Sequence, residues 1–163
     1  MAQIFPKWTN HIPTIGAIAA VVIGASVVSG INYYFSPKFT DVGYRPKQPV
    51  PYSHKLHAGD LGIDCRYCHS TVEVSAKANI PPTQTCMNCH KMVMPESEKL
   101  APVRESYATK VPIQWVRIHK VPDYAFFNHA AHLRAGVSCI SCHGNVAQME
   151  VVMQKQPLSM GWC

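Results

Sequence analysis

Six of the seven cysteines fall into three copies of one pattern. These are Cys65-Arg66-Tyr67-Cys68-His69, Cys86-Met87-Asn88-Cys89-His90 and Cys139-Ile140-Ser141-Cys142-His143. Two thiols three positions apart lie on the same side of one helical turn, where both can add to the vinyl groups of a porphyrin. The histidine that follows then comes up beneath the macrocycle, where its imidazole can bind iron, so C-x-x-C-H reads as a c-type haem attachment site. An alternative is zinc, because 17 residues separate the first pair of cysteines from the second, within the window of a four-cysteine ribbon. Zinc explains neither the histidine after every pair nor the third pair. Disulfides are the other alternative, but an odd number of cysteines cannot all pair within one chain.

Haem that only relays electrons needs a second axial ligand, and the remaining histidines are patterned. Tyr52-Ser53-His54-Lys55-Leu56-His57 precedes the first motif, and Phe127-Asn128-His129-Ala130-Ala131-His132 precedes the third. His54 lies 11 residues before Cys65 and His129 lies 10 before Cys139. The chain therefore contains an internal repeat, aromatic-x-His-x-x-His followed by C-x-x-C-H. Histidines three apart share one helix face and cannot take opposite sides of one iron, so one is expected to serve the local haem and the other a neighbour. His119 is a fifth candidate, whereas His11 sits at the end of an apolar segment and reads as interfacial. Met92 and Met94 are alternative ligands at the second site, where they would raise the potential relative to two histidines.

Three haems need three distal ligands, and five candidates are present. Cys163, the unpaired seventh cysteine, is expected to open a fourth motif, with the natural chain continuing beyond it and five haems in all.

The elements that position these residues follow from composition. No Asp, Glu, Lys or Arg occurs between residues 8 and 37. Residues 12–31 are almost wholly apolar, and twenty residues rise about 30 Å as a helix, the thickness of a hydrocarbon core. Trp8 precedes this stretch and Tyr33, Tyr34 and Phe35 follow it, as interfacial anchors do. A cleavable secretory signal is the rival reading, but the apolar run is long for one. Residues 1–36 are thus expected to be a transmembrane anchor, 37–51 an extended linker and 52–163 a multihaem domain. Eleven of the 13 prolines lie from Pro37 onward, which argues against long helices or a regular sheet there. The expected fold is one N-terminal transmembrane helix followed by a mostly irregular, short-helix domain whose core is haem. The basic balance, +6, comes from scattered Lys and Arg with no cluster, so nucleic-acid binding is not indicated, and haem propionates would reduce it further.

The histidine pairs ahead of C-x-x-C-H resemble the class III multihaem cytochromes c. A fuller set of motifs adds Gly62-Ile63-Asp64 before Cys65, Pro81-Pro82 before the second motif, Trp115-Val116-Arg117-Ile118-His119 with Pro122-Asp123, and Met160-Gly161-Trp162-Cys163. Together with the N-terminal anchor these look like the membrane-anchored pentahaem cytochrome c subunit of alternative complex III. The resemblance covers nearly the whole chain and departs at Cys163, where the fourth motif is cut and the fifth is absent. It implies electron transfer from quinol, through an iron–sulfur subunit and this subunit, to a monohaem cytochrome c or a terminal oxidase. It also implies that His119 is a distal haem ligand. The haem domain would lie on the periplasmic side of the cytoplasmic membrane, against a weak excess of basic residues after the anchor that counts the other way. Such a subunit would not be catalytic alone. The alternatives are a tetrahaem quinol dehydrogenase, whose motifs should follow the anchor more closely, and a multihaem reductase, which needs an iron lacking its distal ligand.

Overall fold

The structure is a computed structural model and describes residues 4–163. The chain divides into two compact units, one ending at Thr40 and one running Asp41–Cys163.

In the first unit a 3-10 turn, Lys7–His11, leads into helix α1, Ile12–Tyr34. Pro13 occupies the first turn of α1, where its missing N–H would have no partner in any case. α1 is long and apolar enough to cross a membrane. Two of its polar side chains bond back to carbonyls one turn earlier. Ser26 Oγ donates to the Val22 carbonyl at 2.8 Å and Asn32 Nδ2 to the Val28 carbonyl at 2.9 Å. Tyr33, Tyr34 and Phe39 form an aromatic cluster with ring centroids 5.0–5.6 Å apart, which brings the single turn α2, Pro37–Thr40, back onto the end of α1.

The second unit contains no strand among the described residues, and its helices are short. The segment Lys55–Asp60 is a π-helix, α3 is Cys65–Cys68, α4 is Thr83–His90, α5 is Ala101–Thr109, α6 is His129–Arg134 and α7 is Cys139–His143. Three of these are started by a polar side chain just ahead of the first turn. Asp64 accepts from Arg66 N–H, Asn128 from Ala131 N–H and Ser138 from Ile140 N–H. Such a cap lets a helix of four to six residues form where propagation contributes almost nothing.

The apolar cluster formed among the described residues is small: Val50, Met87 and Val103, with Leu100, Tyr107, Ile113 and Trp115 packed against it. It holds α4 to α5, helped by Thr83 Oγ1 and Ser106 Oγ at 2.9 Å. Val50 and the Gly43–Tyr44 pair, which exchange backbone hydrogen bonds with Gln154, belong to this unit although they fall in residues 37–51. Elsewhere among the described residues, the buried apolar side chains are Val72, Ala130, Met149 and Leu158. Polypeptide alone supplies little core for a unit of this length; covalently fixed apolar plates would complete it.

Candidate haem sites

Each cysteine pair occupies one helical turn, and none of the seven cysteines is joined to another in a disulfide. Burial raises the thiol pKa of Cys68, Cys86 and Cys142. Among the described residues, no three His, Cys, Asp or Glu side chains converge as ligands of one bare metal ion would. The four cysteines of the first two motifs are thus not arranged as a zinc ribbon. They are arranged as two separate two-thiol turns, each ending in a histidine.

The imidazoles carry the most informative geometry. Two imidazoles on opposite sides of one metal, at about 2 Å per metal–nitrogen bond, have ring centroids about 6 Å apart. Among the described residues, two pairs lie at that spacing. His57 and His90 are 6.1 Å apart, and His129 and His143 are 6.4 Å apart. His119 lies 4.3 Å from His143, too close to be the partner across the same metal.

Backbone carbonyls orient most of these rings. Nδ1 of His69 lies 2.6 Å from the Asn79 oxygen, and Nδ1 of His90 lies 2.9 Å from that of Val93. The corresponding acceptors are Ser53 for His57, Ala76 for His129 and Asn128 for His132, each at 2.8 Å. An imidazole donating Nδ1–H to a carbonyl presents an unprotonated Nε2, the tautomer an iron ligand needs. His54 and His119 differ: His54 Nδ1 and His119 Nε2 are buried without a hydrogen-bond partner. A buried nitrogen without a partner is costly in a purely protein interior and natural beside a metal. Burial pushes His54 and His143 down to about 4, with neighbouring histidines adding to the effect, and it also lowers His119. All three are therefore neutral at pH 7, the form that ligates.

The two copies of the histidine repeat fold alike. Tyr52 lies 4.5 Å from His57 at 25° and 4.8 Å from His54 at 87°. Phe127 lies 4.4 Å from His132 at 28° and 4.7 Å from His129 at 88°. Burial raises the Tyr52 hydroxyl to about 12, so it stays protonated.

His132 opens into a cavity of about 280 Å³ whose lining includes Tyr124, Phe126, Phe127, Leu158 and the thiol-bearing Cys163. One thiol, one imidazole and aromatic walls suit part of a further haem site. Met92 and Met94 are 86% and 62% exposed, and the ring facing His90 is His57, so the geometry offers no methionine ligand there.

The backbone groups that hold these histidines have no counterpart in the sequence patterns. The acceptors on Asn79, Ala76 and Val93 are backbone atoms with no sequence signature. The role of Gly59 is likewise visible only in the fold. A Cβ there would meet the Ala147 carbonyl, so only glycine lets the π-helix carrying His57 pack against residues 146–148. Gln154, fully buried, accepts from Lys120 N–H at 3.1 Å and so steadies the residue after His119.

Helical turns of C-x-x-C-H, imidazoles paired at metal-spanning distance and a core left to cofactor define a multihaem c-type cytochrome. The chain belongs to the class III cytochrome c family, which residues 36–120 match. It is also 32% identical over 129 residues to the multihaem cytochrome c subunit of menaquinone reductase from Nitratidesulfovibrio vulgaris. That alignment covers 78% of this chain and 60% of the relative, so the chain spans about three fifths of the length of the curated relative it matches.

Proposed function

We propose that this chain is a membrane-anchored electron-transfer subunit of a quinone-linked oxidoreductase complex. The observation that carries the reading is the pairing of imidazoles at 6.1 and 6.4 Å, which fits irons with both axial positions filled by histidine. Such haems supply one-electron chemistry without exchanging ligands. The protein's own residues then have three tasks. Cys65 and Cys68, Cys86 and Cys89, and Cys139 and Cys142 anchor the cofactors, with His69, His90 and His143 as proximal ligands. His57 and His129 serve as distal ligands to the second and third motifs. The carbonyls that receive Nδ1–H hold the rings still between redox states. His54 is assigned to the first motif, beside His69, whose charge adds to its lowered pKa. His132 and Cys163, on one cavity, are assigned to a fourth haem, and His119 to a haem other than that of His143.

α1 is assigned as the bilayer anchor, with the haem unit on the periplasmic side of the cytoplasmic membrane. Two directions of flow are chemically open. In the first, as in alternative complex III, electrons leave quinol, pass an iron–sulfur subunit and continue through this subunit to a monohaem cytochrome c or a terminal oxidase. This is supported by the set of motifs that extends from the anchor to Cys163. In the second, electrons enter the membrane pool, which the similarity to a menaquinone reductase subunit favours.

The deciding experiment uses the purified complex. Haem reduction on adding a quinol supports the first direction, and quinone reduction by pre-reduced haems supports the second. Neither reaction occurring, with all haems loaded, would overturn the quinone-linked reading. Carbon monoxide binding to most of the haems would overturn the closed-ligand assignment.

A further inference from the structure

Tyr52 and Phe127 each stack on the second imidazole of their repeat, and in both copies that imidazole also donates Nδ1–H to the carbonyl four residues back. Stacking fixes the plane of the ring and the hydrogen bond fixes its rotation within that plane, so the broad terminal torsion of histidine has little freedom left. Yet the two completed pairs differ in one respect. His129 and His143 are within 10° of parallel, whereas His57 and His90 are crossed at 61°.

That difference has an electronic meaning. Each axial imidazole donates into the iron d orbital perpendicular to its own plane. Parallel rings both raise one of the two π-type orbitals and separate it from the other. Crossed rings raise both and leave them nearly equal, which gives the ferric state less stabilisation and makes the iron easier to reduce. The two sites have the same ligands, so ring orientation is the lever that separates them, one of the outer contacts by which a protein tunes its iron.

We propose that Tyr52 is a positioning residue that holds His57 crossed to His90, making the haem of the second motif electronically distinct from that of the third. This rests on the bis-histidine reading above. Tyr52 is well placed for the task, since its ring meets both histidines of its repeat, stacked on His57 and edge-on to His54.

The test is the low-temperature electron paramagnetic resonance spectrum of the oxidised, haem-loaded full chain, joined to a redox titration. Two kinds of low-spin signal are expected together, a rhombic set from parallel rings and a large-gmax signal from crossed ones. Tyr52→Phe keeps the ring and is expected to leave both. Tyr52→Leu removes the stacking surface and is expected to lose one large-gmax signal, to gain rhombic intensity and to lower the midpoint potential of that haem alone. A wild-type spectrum with only rhombic signals would overturn the proposal while leaving the bis-histidine reading intact, and it needs no variant to fold. So would Tyr52→Leu with an unchanged spectrum, or Tyr52→Phe with the change expected of Tyr52→Leu. A wild-type spectrum dominated by high-spin iron would overturn the bis-histidine reading itself and this proposal with it.

Discussion

The ring centroids of His129 and His143 lie 6.4 Å apart, with ring planes within 10° of parallel. His129 begins α6 and His143 ends α7, and a turn with Gly136 at φ 82° joins the two helices. His129→Ala should therefore open one iron and no more. The expected outcome is carbon monoxide or cyanide binding by one additional haem per chain, with interrupted electron flow. An unchanged ligand-binding stoichiometry would remove His129 from the assignment.

The His57–His90 pair gives a sharper prediction because it joins different parts of the chain. His57→Ala should open the haem held by Cys86 and Cys89, although His57 lies closer in sequence to Cys65. His54→Ala should open a different one. The double variant is then expected to bind two equivalents of cyanide. A single equivalent would mean that both histidines serve one iron in alternation.

Gly59→Ala places a methyl group against the Ala147 carbonyl, a backbone atom that cannot swing aside. Overpacking of this kind costs about 1–3 kcal/mol, read as a lower midpoint in thermal denaturation of the haem-loaded protein. The displaced π-helix should also disturb the low-spin signal of the His57 site. Gly16→Ala, in the first unit with open space around its Cβ, is the control expected to change neither.

Gln154→Leu removes the acceptor for Lys120 N–H from a fully buried position. An unsatisfied buried amide costs about 1–3 kcal/mol. A reduced denaturation midpoint is expected, with faster hydrogen exchange at Lys120. Unchanged exchange there would mean that water replaces the side chain.

Asp64 sets a pH dependence. Hydrogen bonds from the Arg66 side chain and backbone N–H hold its carboxyl down to about 2. A carboxyl whose pKa is depressed on folding stabilises the fold above its ordinary pKa, about 4, and loses that contribution as pH falls toward 2. The first haem turn should therefore loosen on acidification through this range. Asp64→Asn is expected to flatten this part of the stability–pH curve, measured by denaturation at a series of pH values.

Much of the site was legible in the sequence because its chemistry is local. Two thiols and an imidazole within one turn need only a cap and a helical backbone, and Asp64 and Ser138 beside their motifs supply the cap. The repeated aromatic-x-His-x-x-His was visible for the same reason. Its identical ring geometry in both copies follows from short-range backbone conformation, whatever surrounds it. The short-helix, strand-free fold was likewise foreseeable from eleven prolines after residue 36.

Pairing was not legible. Which histidine meets which depends on the path of loops whose conformations are set by contacts distant in sequence. His129 is oriented by the Ala76 carbonyl, 53 residues away, and His57, which faces His90, sits on a π-helix that a glycine lets approach Ala147. Residue types and spacing determined that this chain attaches haem and has histidines to spare. Tertiary structure alone decided their partners and ring orientation, because distance and angle between imidazoles are properties of the folded backbone rather than of any one segment.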